Sequence, residues 1–234
     1  MLSKNLILTG GDDYHPFAES SQTLAETLLP LGIESDIYFN MEEGLTALSS
    51  GDYQLLTMNT LRWQMLDEKY TPVRQQRAFS LSAGGQQIIK NHMQQGGHLL
   101  AIHGASICFD NWSEWPLIVG GTWQWGVSNH PPLGGLKVWP CSDDPIVSNC
   151  EAFTLRDELY SNLSLQPGIE VLLEATTVAE NGQESAPTQP VFWKHHYAAG
   201  RVIYDALCHD VGSLEEPTHN KIIQQAARWL LDIT

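Results

Sequence analysis

The sequence predicts an α/β protein with an open, mostly parallel sheet, helices on both faces and extra strands in its C-terminal half. Three observations predict this class. Apolar runs of strand length alternate with stretches of helical periodicity through the first half. Glycines stand at the natural stops of several of these segments. The second half is a succession of strand-like runs ended by a single amphipathic helix. A chain of 234 residues can bury one large core and is long for two independent ones, so residues 1–234 are expected to form one domain.

NLILTGG (5–11) reads as a buried strand closed by glycines, and FAESSQTLAETLLPLG (17–32) follows with helical periodicity and Gly32 as its stop. ESDIYF (34–39) is a second strand, MEEGLTALSSG (41–51) a short helix, and YQLLTMN (53–59) a fully apolar third strand. A helix is expected within 78–95, stopped by Gly96 and Gly97, before the fourth strand, HLLAIHG (98–104). Further strands are expected at LKVWP, FTLRDELY, VLLEATT, PVFWKHH and GRVIYDAL, the last two forming a hairpin that turns at Tyr197–Gly200. The stretch 179–190 is a polar loop, and NKIIQQAARWLLDI places Ile222, Ile223, Ala226, Ala227 and Leu230 on one helix face.

Composition narrows the function. With 12 Lys+Arg against 27 Asp+Glu the formal net charge is −15, and no basic patch is visible, so nucleic acid and anionic membranes are not expected partners. A neutral or weakly charged small molecule suits this surface, as does a divalent metal, and a homodimer is compatible with it. The N-terminal apolar run is too short for a signal peptide and no stretch approaches transmembrane length, which predicts a cytoplasmic protein. Cys108, Cys141, Cys150 and Cys208 have no CxxC spacing and read as free thiols. The absence of GxxxxGK[ST] and of GxGxxG after the first strand removes support for nucleotide binding, and no HExxH motif marks a standard zinc site.

In a parallel α/β sheet, ligands bind beyond the carboxyl ends of the strands. Those segments are Gly10–His15 with Asp12 and His15, Asn59–Trp63 with Arg62 and Trp63, His103–Ser106, and Cys208–Asp210 with His209. "LLAIHGAS" is an apolar strand that ends on a histidine and three small residues, the form of a strand-to-helix elbow that normally presents a nucleophile. His103 therefore aims at the crevice as a general base or a metal ligand. His15, His103 and His209 are expected to gather with Arg62 at one sheet edge, His103 and His209 within the ~10 Å of a small-molecule site. His92, His98, His195, His196 and His219 read as structural or surface residues. In FTLRDELY, alternation buries one of Asp157 and Glu158 and exposes the other, which offers an acid/base carboxylate or an ion pair with Arg156 or Arg201. Trp112, Trp115, Trp123 and Trp125 cluster within a short span, as core or lid packing or as stacking faces for sugar rings.

These pieces, in this order, resemble the ThuA family, named for trehalose utilisation, which has a class I glutamine amidotransferase-like, flavodoxin-like fold. The matching segments are TGG with His15-Pro16-Phe17, Gly96 to Ala105, Ile118 to Gly121 followed by His130-Pro131, Asp157-Glu158-Leu159-Tyr160, and Pro190 to Trp193, Gly200 to Val202 and Leu207 to Asp210. In two places the chain departs from the pattern: Gly121–His130 is longer than usual and holds Trp123 and Trp125, and Cys208 stands where the family has glycine.

The resemblance places His103 where amidotransferases carry their nucleophilic cysteine. Imidazole cannot form the thioester of glutamine hydrolysis, so glutaminase activity is not expected. The resemblance implies instead a sugar or keto-sugar ligand in carbohydrate utilisation. In an enzyme, His103, Glu158 and the pair His209-Asp210 would be catalytic. Asp12, His15, Arg62, Trp63, Trp123 and His130 would line the substrate pocket. His103, His130 and His209 are the candidate ligands for a divalent metal, and no other cofactor is expected. The alternative is a non-catalytic carbohydrate-binding or regulatory protein on the same scaffold.

Overall fold

The computed structural model describes residues 3–179, 183–185 and 187–233. Its first half alternates as expected: β1 (Ser3–Gly10), α1 (Phe17–Leu28), β2 (Ile33–Tyr38), α2 (Met41–Leu48), β3 (Leu55–Thr60), α3 (Thr71–Arg77), α4 (Ala83–Gln94) and β4 (His98–Ile102). Then follow α5 (Trp115–Val119), β5 (Gly121–Thr122), β6 (Gly134–Pro140), β7 (Phe153–Asp157), β8 (Ser164–Leu165), β9 (Glu170–Thr177), β10 (Gln189–Tyr197), β11 (Gly200–Asp205), α6 (Val211–Glu215) and α7 (Pro217–Leu231).

Local chemistry explains most boundaries. Asn40 caps α2 by accepting from Glu42 N and Glu43 N, and those two acidic residues suit the positive end of the helix. Ser82 caps α4 through Gly85 N, so that helix begins later than the 78–95 window. After α1 one 3₁₀ turn ends at Gly32 with φ 75°, the expected stop. The five apolar residues assigned to one face of the last helix are all buried in α7. Tyr197 pairs with Gly200, so the β10–β11 hairpin turns where the sequence predicts. Of the expected loop 179–190, residues 180–182 and 186 lie outside the described residues, and its end is already strand β10.

One sheet of nine strands has the order β2-β1-β3-β4-β11-β10-β9-β6-β7. The first five run parallel. The pairings from β11 to β7 are all antiparallel. The expectation of a mostly parallel sheet is therefore corrected: the sheet is evenly mixed. Helical crossovers link the strands of the first half, whereas β10 and β11 are joined by a tight turn between Tyr197 and Gly200, which permits only antiparallel pairing. Helices α1, α6 and α7 pack together, and α2 packs on α4. The fully buried β3 lies between these layers, as a parallel strand covered on both faces must.

The antiparallel half curls. β7 stands four strands from β11, a separation of about 19 Å at ~4.8 Å per strand in a flat sheet. Yet its terminal Asp157 accepts a hydrogen bond from Cys208 N at 2.8 Å, in the loop after β11. That closure carries Glu158 to the carboxyl edge of the parallel half.

At the opposite edge His98 accepts from Arg201 N at 3.1 Å, and burial, then Arg201 and His92, holds its pKa down at about 4. The unfolded chain, with histidine near 6.5, takes up this proton first, so the contribution to stability is complete above that pH and is lost as pH falls towards 4. The drop in Tm between pH 7 and pH 5 is expected to be smaller in His98→Gln than in the wild type.

Candidate metal and catalytic centre

Three loops at the carboxyl ends of β1, β4 and β11 bring together three imidazoles. Ring centroids of His15 and His103 are 5.3 Å apart, those of His15 and His209 4.6 Å, and those of His103 and His209 5.5 Å. The span is well inside the ~10 Å expected of a small-molecule site. Glu158 Oε2 lies 3.5 Å from His103 Nε2 and 3.7 Å from His209 Nδ1, and Glu158 Oε1 lies 3.5 Å from His130 Nδ1.

The elbow exists, in a form that explains its small residues. His103 has φ 43°, a left-handed conformation that costs strain in a non-glycine residue. It opens a single 3₁₀ turn, His103–Ser106, rather than the expected α-helix. Gly104 fits the crowding there, since a Cβ would stand 3.1 Å from both Leu61 Cβ and Thr60 O and push those neighbours back. Tyr204 braces the turn: its hydroxyl donates to His103 O at 2.8 Å and lies 2.8 Å from the Ser106 hydroxyl.

Hydrogen bonds fix two tautomers. His103 Nδ1 is 2.6 Å from Ala206 O, a carbonyl that only accepts, so Nδ1 carries the proton and Nε2 offers a lone pair to the centre when the ring is neutral. The Tyr160 hydroxyl lies 3.0 Å from that Nε2; burial raises its pKa well above 10, so it stays protonated and donates. His15 Nδ1 donates to Asp12 Oδ1 at 2.8 Å, which leaves His15 Nε2 buried without a partner. His209 Nδ1 is likewise buried and unpartnered. Buried polar atoms are normally satisfied, so two orphaned imidazole nitrogens beside a carboxylate point to a ligand.

Charge is shared unevenly. Burial opposes the His103 cation, but Glu158, Asp157 and the Ala206 carbonyl outweigh it and raise the pKa. His209 is shifted down, first by burial and then by His103. Glu158 is held below its ordinary value despite burial, by His103, His130 and His209. At neutral pH the centre therefore holds a carboxylate among imidazoles.

His15, His103, Glu158 and His209 each offer a ligand atom, and these atoms lie within 4.8 Å of one another. Tetrahedral bonds of ~2.05 Å require ligand atoms about 3.3 Å apart, so the His–Glu contacts need only a small contraction. Three imidazole nitrogens and one carboxylate suit zinc and the neighbouring divalent transition metals. The Asp12–His15 and Ala206–His103 hydrogen bonds are the orienting contacts that metal-binding histidines use.

The remaining candidates occupy other places. His130 sits at the rim, half-exposed, with its Nδ1 also 3.0 Å from Pro131 O. Asp210 caps α6 by accepting from Ser213 N, so the carboxylate nearest the His209 ring is Glu158 rather than its sequence neighbour. Arg62 donates to Phe39 O and lies over the Phe79 ring, directed into a packing role beside Gly10. The tryptophans divide: Trp112 and Trp115 are core, whereas Trp123 lies 5.3 Å from the Tyr160 ring and 6.0 Å from His130. Trp63 stacks on Trp125.

The expected split in FTLRDELY, one carboxylate buried and the other exposed, is corrected: Asp157 is fully buried, and Glu158, just past the end of β7 where alternation no longer applies, is largely buried too; Asp157 meets neither Arg156 nor Arg201. It accepts from Glu158 N, Cys208 N and His209 N, and Arg201 pairs with Asp232. Asp157 as the clamp of the His209 loop, and Tyr160 as the partner of His103, are the two residues that sequence reasoning missed. Both lie in the DE-x-Y segment. Cys208 has φ 78°, which shows why glycine suits that position and why cysteine there is strained. Gly11, with φ 152°, is equally constrained: a Cβ would stand 2.2 Å from Leu61 O. Gly11→Ala is expected to cost about 2 kcal/mol and to displace the His15 loop, measured by urea unfolding.

The fold and this histidine-rich edge define an α/β protein with a candidate metal-binding site at the carboxyl ends of its parallel strands. The chain belongs to the ThuA family, described as trehalose utilisation, whose model matches residues 19–230. Among solved structures it is similar to a ThuA-like protein from Parabacteroides merdae, at TM-score 0.74 and 17% identity, covering 98% of this chain and 90% of that one. A ThuA-like protein from Bacteroides uniformis matches at TM-score 0.68 and 17% identity over 97% and 91%. A cytoplasmic protein from Salmonella typhimurium matches at TM-score 0.65 and 15% identity over 97% and 99%. No curated protein matches the chain. Among the described residues no helix is long and apolar enough to cross a membrane.

Proposed function

We propose that the chain is a cytoplasmic, divalent-metal-dependent enzyme acting on a sugar or keto-sugar derivative in carbohydrate utilisation. The observation that carries this reading is the convergence of His15, His103, His209 and Glu158 with two buried nitrogens left unpartnered. The family's trehalose link supports the sugar. The strand order β2-β1-β3-β4-β11 supports a flavodoxin-like origin for the parallel half.

A bound divalent cation would polarise a carbonyl or hydroxyl oxygen of the sugar. Glu158 turns Oε2 toward His103 and His209, and Oε1, on the rim side beside His130, is the oxygen left to accept a proton from a substrate carbon or hydroxyl. Tyr160, which stays protonated, donates a hydrogen bond at this edge, to His103 Nε2 in the metal-free centre or to a developing oxyanion of the substrate, and its burial keeps water from competing for that bond. Asp12 and Ala206 hold the two histidines in orientation. His130 and Trp123 close the rim.

Glutaminase chemistry has no nucleophile here. The Cys108 thiol is buried, pushed up to about 12 by that burial, and directed at Thr60 O. A thiol so placed is not a thiolate at neutral pH.

The test is hydrogen exchange in D₂O. With metal-loaded protein and a keto-sugar glycoside, deuterium is expected at the carbon next to the carbonyl, at a rate that Glu158→Gln lowers by about 10²-fold or more. Exchange no faster than in buffer, together with tight binding of unaltered sugar, would instead identify a carbohydrate-binding protein.

A further inference from the structure

We infer that the aromatic cavity formed by Trp63, Tyr70 and Trp125 is a subsite for a second sugar ring, so that the substrate is a two-ring saccharide. The inference rests on reading the histidine centre as sugar-processing. The cavity has a volume of about 380 Å³, and the carboxylates of Asp67 and Asp110 also line it. Trp63 and Trp125 are near-parallel, with centroids 6.2 Å apart and an interplanar angle of 26°, and Tyr70 stands edge-on to both.

A chain of ring contacts runs from the wall of this cavity to the centre. Trp125 is 6.2 Å from Trp123, Trp123 is 5.3 Å from Tyr160, and Tyr160 is 4.4 Å from His103. The segment carrying Trp123 and Trp125 is braced at both ends. Trp123 N donates to Ser106 O, at the elbow itself, and Asn129 bridges to Ser161. Trp125 is 41% exposed, so one face of its indole is open to a ligand in the cavity.

Three aromatic walls and two carboxylates also describe a cage for an organic cation. Two observations favour a polyol. Trp63 is 6% exposed, and its indole N–H, a group that only donates, is buried without a partner. A hydroxyl oxygen can accept that hydrogen; an ammonium cannot. The chain's own Lys69 ammonium already lies 4.9 Å from the Tyr70 centroid and 3.9 Å from Asp67 Oδ2, so local positive charge is supplied. A sugar ring presents C–H faces to the indoles, an oxygen to Trp63, and hydroxyl donors to the unshared oxygen of Asp110, whose other oxygen accepts from Gln64 N.

The test is calorimetric titration of the metal-loaded protein with glucose, trehalose, cellobiose and choline. At least one of the two-ring sugars is expected to bind ten times or more tighter than glucose. Trp125→Ala should collapse that ratio towards one while keeping the metal content of the wild type, and Trp63→Phe, which retains a ring without the N–H, should lower two-ring affinity several-fold. Equal affinity for one-ring and two-ring sugars, or a ratio that survives Trp125→Ala, would overturn the subsite and leave the sugar-processing reading standing. Choline binding that Trp125→Ala abolishes would make the cavity a cation cage. Binding of none of the sugars by protein that holds metal would overturn both readings.

Discussion

His103→Ala is expected to lower turnover by about 10²–10⁴-fold while the protein still folds. The side chain is 2% exposed and joins three things: the Ala206 carbonyl, the Tyr160 hydroxyl and the Glu158 carboxylate. Removing it leaves Glu158 without one of its imidazole neighbours and Tyr160 without its acceptor. The backbone at φ 43° is no harder for alanine than for histidine, so the elbow persists. A Tm lowered by a few degrees is expected from the opened cavity and the freed polar atoms, far less than unfolding. Deuterium exchange and thermal melts on the same preparation separate the two effects. Unchanged exchange with a lower Tm would return His103 to a purely structural role.

Asp157→Ala should be the most destabilising single change in the site. This carboxylate is fully buried and accepts from Glu158 N at 2.7 Å, Cys208 N at 2.8 Å and His209 N at 3.3 Å. Its loss strands several backbone donors away from water and unties the curled end of the sheet from the loop that carries His209. A cost of about 3 kcal/mol or more is expected, read by urea unfolding. Asp157→Asn retains one acceptor oxygen and should fold, with metal affinity weakened by about 10–100-fold because His209 is no longer held. Asp157→Asn with wild-type affinity would show that the clamp does not position the ligand.

What the sequence discloses of this molecule follows from the range of its interactions. β1, β3 and β4 are legible as apolar runs because parallel strands are buried on both faces. The last helix and the β10–β11 turn are legible because their patterns are local. The short α3, α5 and α6, of seven, five and five residues, are too brief to show a period. The evenly mixed sheet is hidden because strand order depends on which distant segments pair. The histidines of three loops are readable as candidates, since strand ends at one sheet edge must converge. Glu158 is reached only by chemistry and resemblance, because the curl that brings β7 to that edge is a property of the whole sheet. Asp210 misleads for the same reason: it is next to His209 in sequence, while its carboxylate serves the start of α6.

The central claim is that the four side chains form a metal site, and cobalt titration tests it most directly. Metal-free protein at pH 7.5 is expected to bind one Co²⁺ per chain, with a visible absorption spectrum of low-coordinate nitrogen–oxygen ligation, and His15→Ala and His209→Ala should each lose it. A wild-type protein that binds no more Co²⁺ than the His15→Ala and His209→Ala variants would contradict the account.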